Sequence, residues 1–194
     1  MAWHRGHGIA PKLFTWGTPN RDKRPWRPAR ERDTDARSTC ENGSMARLLF
    51  VHHSPTPRVQ QIADAAREGT RLEGLEGVEV IERAALEATA DDVLAADGYL
   101  LGTTANFGYI SGALKHFFDT TFNQTHEQTA HRPFSYWIHG GYDTTGAEQA
   151  MTSITTGYTW ALAVEPLIFT GEVTDAHLDQ ARELGAGIAA TLLG

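Results

Sequence analysis

Residues 98–119 read GYLLGTTANFGYISGALKHFFD, and this stretch decides the fold. Gly98 to Leu101 is a short apolar run, of the kind buried on both faces of a parallel sheet. It passes directly into a polar, glycine-containing loop, GTTANFGYISG at 102–112. Ser111 then caps a helix whose apolar face is Leu114, Phe117 and Phe118. A buried strand, a polar loop and a capped helix in that order form the repeating unit of an α/β protein.

Read outward, the same unit recurs. Upstream, residues 48–51 (LLFV) are a buried-strand run. Thr56 and Pro57 follow as an N-cap and a proline at the first helical position. Val59, Ile62, Ala63 and Ala66 repeat with helical spacing, and Gly69 is expected to end that helix. Residues 78–81 read as the second strand and 91–96 as a short helix. Downstream, the fourth strand lies at 134–138, followed by the turn HGGYDTTG at 139–146 and a helix over 147–159. The fifth strand is placed at 166–169, with Pro166 at its entry where a missing donor does least harm. Thr174 caps a last helix whose stripe is Leu178, Ala181, Leu184, Ile188 and Leu192. The pattern predicts an α/β fold: a doubly wound five-stranded parallel sheet, strand order 2-1-3-4-5, with helices on both faces. A TIM barrel needs about 250 residues and is too long for this chain.

Composition agrees with a globular domain plus an extension. The chain has 194 residues, 41% of them hydrophobic and 21% charged. Residues 1–44 carry nine Lys/Arg against five Asp/Glu, and 45–194 carry eight against nineteen. The first segment holds Pro19, Pro25 and Pro28 and no sustained periodicity, so it is expected to be a flexible N-terminal extension, with Met45 the functional start of the domain spanning 45–194. The strongly acidic domain argues against a nucleic-acid partner. No eighteen-residue apolar run supports a membrane span, and the start has no secretory h-region. A cytoplasmic location is the default. The one cysteine, Cys40, can form neither an internal disulfide nor a cysteine metal cluster.

In open parallel sheets ligands bind beyond the carboxyl ends of the strands. Three loops occupy that edge. The first, HHSPTPRVQQ at 52–61, offers the Ser54 and Thr56 hydroxyls and a helix start whose free N–H groups suit a phosphate monoester, with Arg58 as a further charge. The same residues also suit an ordinary capped helix. Neither a Walker nor a GxGxxG pattern is present, and His52 and His53 lack the partners of a zinc site; His52 is expected only to end the strand. The second loop combines hydroxyls, the Asn106 amide and two aromatics, a set able to edge and cover a planar heterocycle. It can also be a polar connection in which Phe107 caps the core. In the third loop Gly140 and Gly141 permit close backbone approach, and Tyr142 can stack on a ring or simply close the turn. His116, His126 and His139 are conceivable acids, with surface or loop roles favoured for each.

Taken together, the three loops resemble those of the NAD(P)H-dependent FMN reductases and quinone reductases of the flavodoxin-like superfamily. SPTPRV at 54–59 is similar to their Ser/Thr-rich phosphate loop. Gly102 to Asp119 resembles their GTPTRFGNMSGxMKxFLD segment, and HGGYDTTGAEQA at 139–150 their glycine-rich flavin loop. The resemblance covers 46–193. It implies an FMN-binding domain in which Ser54, Thr56, Arg58 and Val59 hold the phosphate. Thr103, Thr104, Ala105, Asn106, Phe107 and Gly108 would surround the ribityl chain and ring, and His139, Gly140, Gly141 and Tyr142 would approach from the other side. It implies an oxidoreductase that passes a hydride from NAD(P)H as co-substrate to a small-molecule acceptor, a quinone or free flavin, and leaves room for a homodimer. The alternative is a flavodoxin-type electron carrier without turnover of its own. Two departures stand out: the family's Pro and Arg in the second loop are Thr104 and Asn106 here, and the long insertion that builds tetramer contacts in the quinone reductases is missing.

Overall fold

The computed structural model describes residues 45–194; the expectation of a flexible extension at 1–44 lies outside the described residues. The elements in chain order are β1 (Ala46–His52), α1 (Pro57–Gly69), β2 (Val78–Ala84), α2 (Ala90–Ala95), β3 (Gly98–Asn106), β4 (Tyr109–Ile110), α3 (Gly112–Thr125), β5 (Pro133–Gly140), α4 (Thr145–Tyr158), β6 (Ala161–Leu162), β7 (Leu167–Thr170) and α5 (Asp175–Ala190).

The sheet runs β2-β1-β3-β5, with β6 and β7 both pairing β5 in parallel along its far side. The doubly wound order expected from the sequence is therefore present, with two refinements. The outermost strand is split in two. Pro133 pairs Ala161, whereas Trp137 pairs Leu167, so two extra residues intervene and the edge is interrupted at Ala163–Pro166. The Ser135 hydroxyl fills the gap by donating to the Val164 carbonyl at 2.8 Å. Secondly, β3 continues through the predicted loop and folds back on itself as an antiparallel hairpin with β4, pairing Ala105 with Ile110 and Asn106 with Tyr109.

Strand alternation sorts the core into two layers. Leu48, Phe50, Leu100 and Trp137 face α1 and α5. Leu49, Val51, Tyr99, Leu101, Phe134, Tyr136 and Ile138 face a second cluster that includes Val93, Leu114, Phe117, Phe118, Met151 and Tyr158 from α2, α3 and α4. Burial on both sides explains why these strands read as apolar runs rather than alternating ones.

Gly69 is the last residue of α1, as the sequence leads one to expect, and Thr70 after it keeps right-handed helical angles. A Cβ on Gly69 would lie 2.0 Å from the Arg182 carbonyl oxygen, and one on Gly185 would lie 1.9 Å from that of Ala66. The two glycines let α1 and α5 cross backbone to backbone.

Candidate functional site

Sheet register brings the three loops together at one edge. His52 pairs Gly102, Thr104 pairs His139, and Ala105 pairs Gly140. The carboxyl ends of β1, β3 and β5 are thus neighbours, and each opens into one of the loops singled out in the sequence.

At the first loop, Thr56 is the N-cap of α1 and its hydroxyl accepts the Val59 N–H at 3.3 Å. Pro57 has no N–H to satisfy, and Gln60 donates to the Thr56 carbonyl at 2.9 Å. That leaves the Arg58 N–H as the donor of the first turn met neither by the cap nor by a backbone carbonyl, in the positive end of the helix dipole. Val59 itself is buried and anchors the turn. The Arg58 guanidinium is exposed, 3.7 Å from Glu172, a separation and exposure that hold it only loosely.

Behind this turn lies a chain of polar contacts. His52 is buried at the end of β1. Its Nδ1 lies 2.9 Å from Ser54 Oγ and its Nε2 3.0 Å from Glu82 Oε1. Arg67 of α1 donates to both Glu82 oxygens at 3.0 Å and also to Asp64. The Glu82 bond raises the Arg67 guanidinium further above its ordinary value, although burial pulls the other way. The sequence treats His52 as a strand end. Its partner Glu82 is on another strand, and only the β1–β2 register puts both side chains on one face.

The second loop separates two adjacent threonines. Thr103 is fully buried, and its hydroxyl accepts the Ser111 N–H at 3.1 Å and donates to the Thr104 carbonyl at 3.2 Å. It ties the hairpin to the start of α3 and has no hydrogen left to offer. The buried Thr104 hydroxyl, by contrast, has no partner among the described residues, and neither has His53 Nδ1. An unmet buried polar group costs about 1–3 kcal/mol, so each is a place where an outside group would be welcome. Beyond them the hairpin turns at Phe107 and Gly108, with φ of +50° and +73°. Positive φ at both central residues defines a type I′ turn, for which Asn-Gly is the favoured pair. Here a phenylalanine takes the first position, against its steric preference, and its side chain is fully exposed. Asn106 beside it is exposed as well. The tip is seated on α4: a Cβ at Gly146 would fall 2.0 Å from the Gly108 carbonyl oxygen.

In the third loop the His139 side chain is engaged elsewhere. Its Nε2 donates to the Gly171 carbonyl at 2.8 Å and its ring packs 5.0 Å from Phe169. What His139 brings to the edge is backbone. Gly140 is confined, since a Cβ there would lie 2.8 Å from Thr144 Cγ2, whereas Gly141 has no atom within 4 Å of its Cβ position. Tyr142 next to it is fully exposed. Asp143 accepts the Thr145 N–H at 3.0 Å, and that bond holds its carboxyl below the usual carboxylate range. His126, considered as an acid from the sequence, instead stacks on Phe122 and meets its carbonyl. Surface hollows such as that lined by Arg47, Ile81, Arg83 and Asp92 lie away from these loops. With Phe107 and Tyr142 standing out into solvent, the crevice is an open cleft.

A doubly wound parallel sheet of this strand order, with its loop crevice at the ends of the first, third and fourth principal strands, has the flavodoxin-like fold. Comparison with known proteins agrees. The solved structure of the flavodoxin, WrbA-like protein from Agrobacterium tumefaciens matches with a TM-score of 0.62 at 19% identity, over 76% of this chain and 98% of that one. In sequence the chain is similar to a flavodoxin of Aquifex aeolicus, 39% identical over 75 residues, which is 39% of this chain and 40% of that protein. It is also similar to an NAD(P)H dehydrogenase (quinone) of Acidithiobacillus ferrooxidans, 31% identical over 127 residues, 52% of this chain and 62% of the relative. The matches thus span between 40% and 62% of these curated relatives. No protein-family model matches. The resemblance built on residues 102–119 holds at the level of the fold.

Proposed function

We propose that this chain is an FMN-dependent oxidoreductase that takes a hydride from NAD(P)H and passes it to a quinone or free flavin. One observation carries the reading: two fully exposed aromatic side chains, Phe107 and Tyr142, stand on adjacent loops over an edge where, among the described residues, the Thr104 hydroxyl is buried without a partner and Gly141 faces open space. A flat heterocycle with a polar rim and apolar faces matches that combination. The flavin supplies the hydride chemistry when bound.

The chain's own residues supply binding and orientation. Ser54, the Thr56 cap and the Arg58 N–H offer donors to a phosphate at the start of α1, and Arg58 adds a loosely held charge. Thr104, Asn106 and the backbone of Ala105 and Gly108 line one side of the ring position. The backbone of His139, Gly140 and Gly141 lines the other, where a ring edge can approach because Gly141 has no side chain. Phe107 and Tyr142 cover part of a face and leave the rest open to a nicotinamide and an acceptor in turn. Support for turnover comes from the similarity to a protein named NAD(P)H dehydrogenase (quinone).

A second reading is favoured by a different observation. Residues 45–194 carry nineteen Asp/Glu against eight Lys/Arg, and such a surface steers a basic redox partner, as an electron carrier requires. Two measurements decide. Titration with FMN should quench flavin fluorescence, and the loaded protein should consume NAD(P)H in steady state when a quinone is added. FMN binding without quinone-dependent turnover selects the carrier; no FMN binding removes both readings.

A further inference from the structure

His52 has a role in this site that the sequence does not suggest, and the argument rests on the cofactor reading above. The Glu82 carboxylate accepts both hydrogen bonds from Arg67 and faces His52 Nε2 at 3.0 Å, so that nitrogen carries a hydrogen. The state of the other nitrogen, 2.9 Å from Ser54 Oγ, then dictates what Ser54 can offer. On a neutral imidazole Nδ1 is an acceptor and takes the Ser54 hydroxyl hydrogen. Ser54 then presents only lone pairs to the start of α1, and these repel a phosphate oxygen. On an imidazolium Nδ1 donates to Ser54 Oγ, and the hydroxyl hydrogen is released to point at the phosphate.

We propose that Ser54 engages the phosphate of the bound ligand only when His52 is protonated, so that phosphate binding is coupled to proton uptake on His52. His52 is a positioning residue: it acts on the ligand through Ser54. Glu82 faces it from β2, and Arg67 and Asp64 stand behind Glu82 on α1, two carboxylates against one guanidinium. From β3 it meets the backbone at Gly102, and within its own strand the Phe50 ring at 4.8 Å. The coupling is reciprocal, so the ligand raises proton affinity and a proton raises ligand affinity.

The test uses the full-length protein cleared of flavin and titrated calorimetrically with FMN at pH 7.5, in buffers of low and high ionisation enthalpy. A phosphate monoester, with a second pKa of about 6, is a dianion at that pH. The wild type should take up a fraction of a proton approaching one per FMN bound, and riboflavin should cause no uptake. Between pH 7.5 and 8.5 FMN affinity should fall by up to tenfold while riboflavin affinity holds. His52→Gln should abolish the uptake. Ser54→Ala, which leaves the His52–Glu82 pair in place, should abolish it as well and decides the matter should His52→Gln fail to fold. Uptake that is absent in the wild type, equal with riboflavin, or retained in Ser54→Ala overturns the coupling. FMN binding without uptake removes this inference alone, whereas failure to bind FMN removes the cofactor reading with it.

Discussion

The loop after β1 and the loops after β3 and β5 border the same crevice but are built in opposite ways. In the first, polar groups are wired to one another: Ser54 to His52, His52 to Glu82, Glu82 to Arg67, and the Thr56 hydroxyl to its own helix. In the other two, the functional candidates reach outward. Phe107 and Tyr142 are fully exposed, the Thr104 hydroxyl has no partner among the described residues, and Gly141 has nothing near its Cβ position. The proposed phosphate end is backed by a network of side-chain hydrogen bonds. The proposed ring end instead carries an unmet hydroxyl and a strained turn.

The sharpest test of that contrast is Gly141→Val. With no atom within 4 Å of the Cβ position and no positive φ, the substitution should leave the melting temperature unchanged. It should lower FMN affinity by a hundredfold or more, about 2.7 kcal/mol, as read by fluorescence titration. Wild-type affinity in a folded Gly141→Val protein would mean the open space is unrelated to the ring. Next comes Phe107→Asn, which places the favoured Asn-Gly pair in the I′ turn. Relief of the left-handed strain should stabilise the protein by about 1 kcal/mol in urea unfolding, while FMN affinity drops roughly tenfold through the lost face contact, about 1.4 kcal/mol. A change of the same sign in both measurements would break the link between strain and binding. The smallest effect belongs to the prewired end. Thr56→Ala should cost about 1 kcal/mol of stability through the lost cap, and should weaken FMN more than riboflavin because only FMN carries the phosphate. Equal weakening would detach α1 from the phosphate.

What the sequence makes legible follows the range of the interaction. Caps and buried strands are local, so Thr56, Pro57 and Ser111 mark their helices, and the apolar runs at 48–51 and 98–101 fall inside β1 and β3. An α/β sheet puts its ligands at one edge, so the sequence singles out three loops there, and the strand register brings those loops side by side. Three features stayed hidden. The β3–β4 hairpin has Phe-Gly where a hairpin signal would be Asn-Gly or Asp-Gly, so its turn reads as loop. The partnership of His52 with Glu82 spans thirty residues and depends on the register that pairs His52 with Ala84. The different fates of Thr103 and Thr104 follow from strand alternation: one points toward Ser111 and the other toward the opposite face, a distinction invisible while both are counted as loop hydroxyls.

The divided outer strand has a consequence for how the protein behaves in a crowded solution. A sheet border is a template: an unbroken line of free amide and carbonyl groups invites another chain to add itself, and repeated addition builds fibres. On the β5 side this sheet ends in one segment of two residues and one of four, shifted against each other by two residues, with Pro166 at the start of the second. No arriving strand can follow that border past a single short segment without losing its pairing. The interruption that looks like an irregularity in the sheet therefore shortens the border along which another chain could pair on this side.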